Sequence, residues 1–215
     1  VTTRLVIFGR QGAGKGTQSV RLAEHYGVPH ISTGDMLREA VAEGSEFGAK
    51  AKVYLDSGEL LPDDVMMGVI AERLSQPDAV DGFILDGIPR TVAQAEALLD
   101  ITSVDVAVNL EVPESLVIER ISSRRVCSNC GRIYSATDAA AVSGECDVCG
   151  GEVVQRSDDT PEAITARLDA YATKTLMAVA FLDRRGLVVT VDGVGSQDDI
   201  TARIIEAIDV RLGRV

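Results

Sequence analysis

The chain has 215 residues, a formal net charge of -12, and 46% hydrophobic and 25% charged residues, proportions close to those of globular proteins and too apolar for a disordered chain. So acidic a composition argues against non-specific binding to nucleic acid or an anionic membrane, since both draw on clustered cations. No apolar run reaches bilayer-spanning length, and no long apolar leader precedes a cleavage site, so a cytoplasmic monomer is expected, with one core carrying small insertions.

Leu5-Val6-Ile7-Phe8 is an apolar run that ends in Gly9-Arg10-Gln11-Gly12-Ala13-Gly14-Lys15-Gly16-Thr17. The run reads as a buried parallel strand, and Thr17 to His25, with Val20, Leu22 and Ala23 apolar, reads as the opening of a helix. Between them, glycines let successive backbone N–H groups turn towards one anion, the helix dipole adds favourable potential, and Lys15 supplies a full charge. Gly9, Gly14 and Lys15 keep the P-loop spacing; residue 16 is Gly where the general pattern has Ser or Thr, and the hydroxyl follows at Thr17.

Further along, strand-like and helix-like segments alternate, the pattern of an α/β domain with a parallel sheet. Val28 to Ser32 is short and extended. Thr33-Gly34-Asp35 starts a helix with Met36, Leu37, Ala40 and Val41 at helical spacing, and Gly44-Ser45 breaks it. A second helix is expected from Glu46 to Asp56, stopping at Ser57-Gly58, and a third from Pro62-Asp63-Asp64 through Leu74. Phe83-Ile84-Leu85 is a buried strand ending in Asp86, the position expected for a carboxylate near magnesium and its waters in a P-loop protein; the alternative is a plain strand-exit turn. A strand from Val104 to Leu110 leads to Pro113, suited to the first turn of a helix continuing to Arg124. A long helix over Pro161 to Asp183, a strand over Leu187 to Val191 and a helix from about Asp198 complete the series.

The alternation breaks between Val126 and Arg156, where all four cysteines fall as Cys127-x-x-Cys130 and Cys146-x-x-Cys149. That spacing matches a zinc ribbon. Two disulfides and a redox pair are the competing readings; the expected compartment disfavours the first, and the second needs no twin. Four thiolates leave a tetrahedral ion no open position, so the metal would be structural. His25 and His30 lie at neither metal nor catalytic spacing and read as structural or surface residues.

Taken together, GxxGAGKGTQ at Gly9 to Gln18, STGDMLR at Ser32 to Arg38, DGIPRT at Asp86 to Thr91 with Gln94 after it, Arg120 and Arg124, and RSDD at Arg156 to Asp159 resemble the bacterial adenylate kinase family. The resemblance runs through the whole chain, and the cysteine insert is similar to the zinc-bearing lid of the family's long form. Two positions depart from it: Arg10-Gln11 stands where the family has a Pro-rich pair, and Ile88 replaces the usual Phe.

The resemblance implies a P-loop core over residues 1–31, 62–122 and 160–215, a nucleotide-monophosphate insert over 32–61 and a zinc-binding lid over 123–159. It implies transfer of the γ-phosphoryl of ATP to AMP, with Mg2+ accompanying ATP and a structural Zn2+. ATP would be held by Gly12, Ala13, Gly14, Lys15, Gly16, Thr17, Arg120, Arg124, Ile133 and Tyr134. AMP would meet Thr33, Gly34, Arg38, Glu59, Leu60, Leu61, Gly87, Arg90, Gln94, Arg156 and Arg167. Lys15, Arg38, Arg90, Arg124, Arg156 and Arg167 would carry catalysis, and Asp86 would hold magnesium through water. Guanidinium groups suit this work because two forked N–H donors match two phosphoryl oxygens. From the residues alone, Arg167 reads equally as a solvated charge and Gln94 as either an adenine-edge partner or a helix-surface amide. Another nucleoside-monophosphate kinase would keep the loop and the arginines. A non-catalytic switch whose ribbon grips nucleic acid would need cations there, whereas Asp138, Glu145 and Asp147 face Arg132 alone in that stretch.

Overall fold

The computed structural model describes residues 3–214. Its centre is an all-parallel sheet of five strands, β1 (Thr3–Gly9), β2 (His30–Ser32), β3 (Gly82–Asp86), β4 (Val106–Glu111) and β8 (Val188–Asp192), in the order β2-β3-β1-β4-β8. Because side chains alternate across a strand, β1 feeds two cores. Val6 and Phe8 join Phe83, Leu85 and Ala107 on one face, while Leu5 and Ile7 join Ile84, Val106 and Val108 on the other. Burial on both faces explains why these strands read as continuous apolar runs.

Helices α4 (Asp63–Leu74), α5 (Val92–Ile101) and α9 (Leu176–Asp183) cover the first face; α1 (Lys15–Tyr26), α6 (Glu114–Ser123) and α10 (Gln197–Arg211) cover the second. Helices α2 (Thr33–Ala42) and α3 (Glu46–Ser57) pack on each other and lie in the chain between β2 and α4. The cysteine segment folds as a second, three-stranded antiparallel sheet, β6-β5-β7, from β5 (Arg124–Cys127), β6 (Ile133–Ser135) and β7 (Val153–Val154), with a short helix α7 (Ala139–Ser143). It carries its own small core of Cys127, Tyr134, Ala140, Cys146 and Val153. Among the described residues no helix is long and apolar enough to cross a membrane.

Several boundaries differ from the expectation, β4 among them, which begins at Val106 and not Val104, while α2 starts at Thr33 as expected. Helix α1 begins at Lys15, not Thr17, because Gly14 takes a left-handed conformation as N-cap and the helix follows at once. Ser32 caps α2, its hydroxyl accepting from Asp35 N at 3.3 Å, and this frees Thr33 for another role. Helix α6 ends at Ser123, with Pro113 at its cap, because Arg124 is drawn into the β5–β6 ladder opposite Ser135. The helix expected over Pro161 to Asp183 is split into α8 (Pro161–Ala170) and α9 by a π turn at Tyr171–Thr175, where the Tyr171 hydroxyl donates to Asn109 Oδ1 at 3.2 Å.

Helices α2 and α3 approach unusually closely. A Cβ built on Gly48 would lie 2.0 Å from the carbonyl oxygen of Ala40 and 2.4 Å from its carbon. In an open helix Ala is favoured over Gly by about 1 kcal/mol, but here the obstacle is backbone, which cannot move aside without separating the helices. Overpacking of about 1 to 3 kcal/mol therefore wins. Gly48→Ala is expected to lower the urea midpoint of unfolding; an unchanged or raised midpoint would show that the two helices are not so tightly joined.

Candidate active site

The strand order turns back at β1, since β1 sits between β3 and β4 and not at an edge. In parallel sheets the crevice outside the carboxyl ends of the strands at such a point is the natural ligand position. Gly9 at the end of β1 and Asp86 at the end of β3 open onto it.

The loop from Gly9 to Gly14 wraps this crevice. Gly14 has φ +99 and no side chain caps the first N–H groups of α1, which leaves an uncapped helix N-terminus facing outward. Gly12 has φ +80, and a Cβ there would lie 2.7 Å from Ile121 Cγ1, so the loop passes tightly over α6. Lys15 folds back across the loop and donates to the carbonyl oxygens of Gly9 at 2.8 Å and Arg10 at 3.1 Å. Burial pulls the Lys15 ammonium down to about 8, with Asp86 opposing and Arg90 and Arg124 assisting. Arg120 steadies the loop from outside, donating to Ala13 O at 3.3 Å and to Gly193 O at 3.2 Å.

Around Lys15 five further cations named in the sequence converge from five separate stretches of the chain. Arg38 comes from α2, Arg90 from the turn before α5, Arg124 from the first residue of β5, Arg156 from the segment after β7 and Arg167 from α8. Two adjacent carboxylates hold them together. Asp159 takes a forked pair from Arg124, with Nε to Oδ2 at 2.9 Å and Nη2 to Oδ1, while Arg167 Nη1 stands 3.6 Å from Oδ1. Asp158 accepts from Arg167 at 2.8 Å and lies 3.6 Å from Arg38 Nη1. Burial works against the charge of Asp158, but Arg167, Arg38 and Arg156 overcome it and hold its carboxyl below the usual range.

The cations still outnumber their partners. Arg156 keeps a buried Nε with no acceptor, and burial, then Arg38 and Arg124, lower its guanidinium to about 10. Arg90 is lowered by burial, with Asp86 opposing and Arg167 and Arg38 adding repulsion. An orphaned buried donor among like charges points to an anion: the site would take phosphate groups, which accept several N–H bonds and supply the missing charge.

The turn after β3 organises one side. The Thr33 hydroxyl donates to Asp86 O at 3.4 Å, and Arg90 Nε donates to Gly87 O at 2.6 Å. A Cβ on Gly87 would stand 2.5 Å from Thr33 Oγ1 and 3.0 Å from Arg90 Nη2, and one on Gly34 would stand 3.0 Å from the Arg38 guanidinium. Gln94 is 3% exposed, which removes the surface alternative. Its amide oxygen accepts from Arg90 N at 2.7 Å and its NH2 group donates to Asp63 Oδ1 at 2.7 Å, leaving one N–H and one lone pair for a ligand. Glu59 is exposed, Leu60 half-buried, and Leu61 packs into the core.

Ile133 and Tyr134 behave differently. Ile133 is exposed and overhangs the phosphate loop, its Cδ1 3.6 Å from where a Cβ on Gly16 would sit, with Asp86 Oδ2 at 3.7 Å. Tyr134 turns away from the crevice to the cysteines. Its hydroxyl lies 3.1 Å from Cys146 Sγ and bonds Asp147; the contact with Cys146 is the main reason that thiol is pulled down to about 6.

The four sulfurs lie within 4.8 Å of one another, with Cys127 and Cys149 3.5 Å apart and Cys130 and Cys146 3.6 Å apart. Tetrahedral bonds of about 2.3 Å to one ion would set sulfurs about 3.8 Å apart, so the donor set fits a metal; a disulfide needs about 2.05 Å. Backbone N–H groups of Asn129 and Cys130 reach Cys127 Sγ at 3.4 Å, support that a thiolate ligand calls for.

Several participants carry little signal in the sequence. Asp158 and Asp159 stand there only as part of a motif, although two acids so soon after an arginine are a sign of pairing. Asp63, bonded to both Thr91 and Gln94, has none. His30, read as structural or surface, is half-buried with Nε2 3.6 Å from Asp86 Oδ2; that meeting depends on β2 and β3 pairing in register.

The family model described as adenylate kinase matches residues 7–187. A curated adenylate kinase of Thermodesulfovibrio yellowstonii is 49% identical over 203 residues, covering 92% of this chain and 94% of the relative. One of Archaeoglobus fulgidus is 49% identical over 195 residues, 88% and 90% of the two chains, and one of Staphylococcus aureus strain Mu50 is 42% identical over 211 residues, 95% and 98%.

From the thiol geometry, protein purified without chelator under reducing conditions is expected to carry one divalent metal ion per chain. Cys127→Ala with Cys130→Ala should abolish it, disorder mainly residues 126–155 and start thermal unfolding earlier. Metal-free protein of undiminished heat stability would overturn this assignment.

Proposed function

The chain belongs to the adenylate kinase family, and from that premise we propose how its residues carry the reaction. The enzyme transfers the γ-phosphoryl group of ATP to AMP, reversibly and with Mg2+ accompanying ATP, to give two ADP. The observation that supports the residue roles is the convergence of Lys15 and five arginines, one with an orphaned N–H, on the crevice beside an uncapped helix N-terminus.

Little covalent chemistry falls to the protein in such a transfer; it must neutralise charge, align the oxygens and keep water out. Backbone N–H groups of Gly12 to Thr17 and the Lys15 ammonium would hold the phosphates of ATP, with Arg120 fixing the loop and Arg124 reaching the same nucleotide from the start of β5. Arg38 and Arg90 would hold the AMP phosphate from the opposite side. Arg156 and Arg167 would stand between the two groups and follow charge onto the transferring phosphoryl. To do this the guanidinium groups exchange Asp158 and Asp159 for phosphate oxygens, a swap that keeps every cation paired but leaves the two buried carboxylates in need of other donors. Gln94 would use its remaining N–H and lone pair on the adenine edge of AMP, beside Thr33, Gly34, Gly87 and the Glu59 to Leu61 backbone. Mg2+ supplies charge neutralisation across the phosphate oxygens, and Asp86 would hold it through water.

Zinc is the proposed ion of the four cysteines, in a closed structural site. Residues 32–61 and 123–159 are proposed as the two inserts that close on the core, a behaviour for which adenylate kinase lids are themselves a standing example and which is carried over from the family. The reading extends to a cytoplasmic monomer without nucleic-acid or membrane partners, supported by the charge of -12 and by free thiols at metal spacing.

A coupled assay of ADP formation tests the roles directly. AMP should be preferred over UMP, CMP and GMP, and Lys15→Ala should lower turnover by about 10²- to 10³-fold while circular dichroism stays unchanged; near-normal turnover would remove Lys15 from the mechanism. The depressed ammonium gives a second test. Above pH 8 the free enzyme has largely lost the Lys15 proton, and incoming phosphate raises its pKa and restores it. Nucleotide binding at pH 8.5 should therefore take up a proton, seen by calorimetry in buffers of different ionisation enthalpy, and Lys15→Ala should abolish the uptake. Equal uptake by both proteins would assign the proton elsewhere.

A further inference from the structure

Residue 11 lies inside the phosphate loop, yet its side chain takes no part in cradling an anion. Gln11 Nε2 donates instead to Asp159 Oδ1 at 3.1 Å, the oxygen that also takes the Arg124 Nη2 bond and faces Arg167 Nη1 at 3.6 Å. The Asp159 side chain is wholly buried. The other end of the amide, Gln11 Oε1, is buried with no donor. One side chain thus joins the loop of β1 to the far end of the cysteine insert and keeps a buried unused acceptor, while its NH2 group shares a carboxylate oxygen with Arg124.

We propose that Gln11 is a positioning residue that lets Arg124 and Arg167 pass from Asp159 to substrate phosphate. When phosphate draws those guanidinium groups away, Asp159 is left as a buried carboxylate needing a donor, and the Gln11 NH2 group is already in place. Each arginine has five N–H groups, more than a phosphate consumes, and Gln11 Oε1 accepts one that is left over. An amide of this length offers a donor to the carboxylate and an acceptor to the guanidinium at once. Leucine offers neither, proline cannot reach, and glutamate sets a second negative charge against Asp159. The sequence departure at residue 11 is then a working part of the site: the loop gains a direct hold on the hinge of the cysteine insert.

This rests on the phosphotransfer reading above, and the experiment separates the two. Steady-state kinetics for ATP and AMP would be measured on wild type, Gln11→Leu, Asp159→Asn and the double variant, with thermal unfolding of each. Wild-type turnover reports on the reaction itself. Gln11→Leu should lower kcat about 10- to 100-fold, the range of one hydrogen bond to a charged group, with the KM for AMP unchanged and the melting temperature near that of wild type. Asp159→Asn removes the charge that would be stranded, so adding Gln11→Leu to it should cost nothing further. If Gln11→Leu does not fold, Gln11→Glu takes its place, with a larger loss expected when Asp159 is intact than when it is combined with Asp159→Asn. Unchanged kcat in Gln11→Leu, or equal losses with and without Asp159→Asn, would overturn the proposal.

Discussion

Six cations packed into one crevice repel one another, and the rest of the structure answers to that constraint. Asp158 and Asp159 sit 5% and 7% exposed at the centre of the cluster, where ionic attraction is strong because water is scarce. They hold Arg38, Arg124 and Arg167 together through ion pairs. Burial, and after it repulsion from neighbouring guanidinium groups, lowers Lys15, Arg90 and Arg156. Charge of the opposite sign is the one ligand property this crevice demands without reference to shape.

Four cations reach the crevice because the chain leaves the central sheet twice and returns. The first excursion, α2 and α3, brings Arg38; the second, β5 to β7, begins at Arg124 and ends just before Arg156. Both excursions depart from the carboxyl end of the sheet, where the phosphate loop also lies. A parallel sheet makes this possible, since all its strands end on one side and all its loops there can contribute to one site. Arg167 follows from α8, whose N-cap Thr160 accepts from Ala163 N at 3.2 Å directly after the acidic pair.

Much of this is readable in residue order, because the strands buried on both faces are unbroken apolar runs and the phosphate loop is local. Lys15 and the cysteine pairs can be named for the same reason: their chemistry is carried by residue type and short spacing. The arginines are named only through the family resemblance, since from the residues alone Arg167 reads equally as a solvated charge. Helix boundaries are less legible. A left-handed glycine starts α1 early, and a tyrosine hydroxyl bound to Asn109 across the fold accompanies the π turn. Least legible are the partners that meet only through long-range packing: Asp63 with Gln94, His30 with Asp86, Gln11 with Asp159. Tyr134 shows the limit from the other side, since its position beside Ile133 suggests a shared role while strand alternation sends the two side chains to opposite faces.

The cysteine insert has a hydrophobic cluster of its own and shares none of its buried members with the two clusters of the sheet. It joins the remainder through two neighbouring chain crossings, the polar contacts of Asp158 and Asp159 with Arg38, Arg167 and Gln11, and Ile133 above the phosphate loop. Such a segment behaves as an interchangeable part: its interior can drift, acquire a different stabilising device or be transplanted between relatives without a matching change beneath the sheet. Resistance to heat and speed of turnover can therefore be adjusted by separate sets of mutations, so long as the residues at the two crossings are kept.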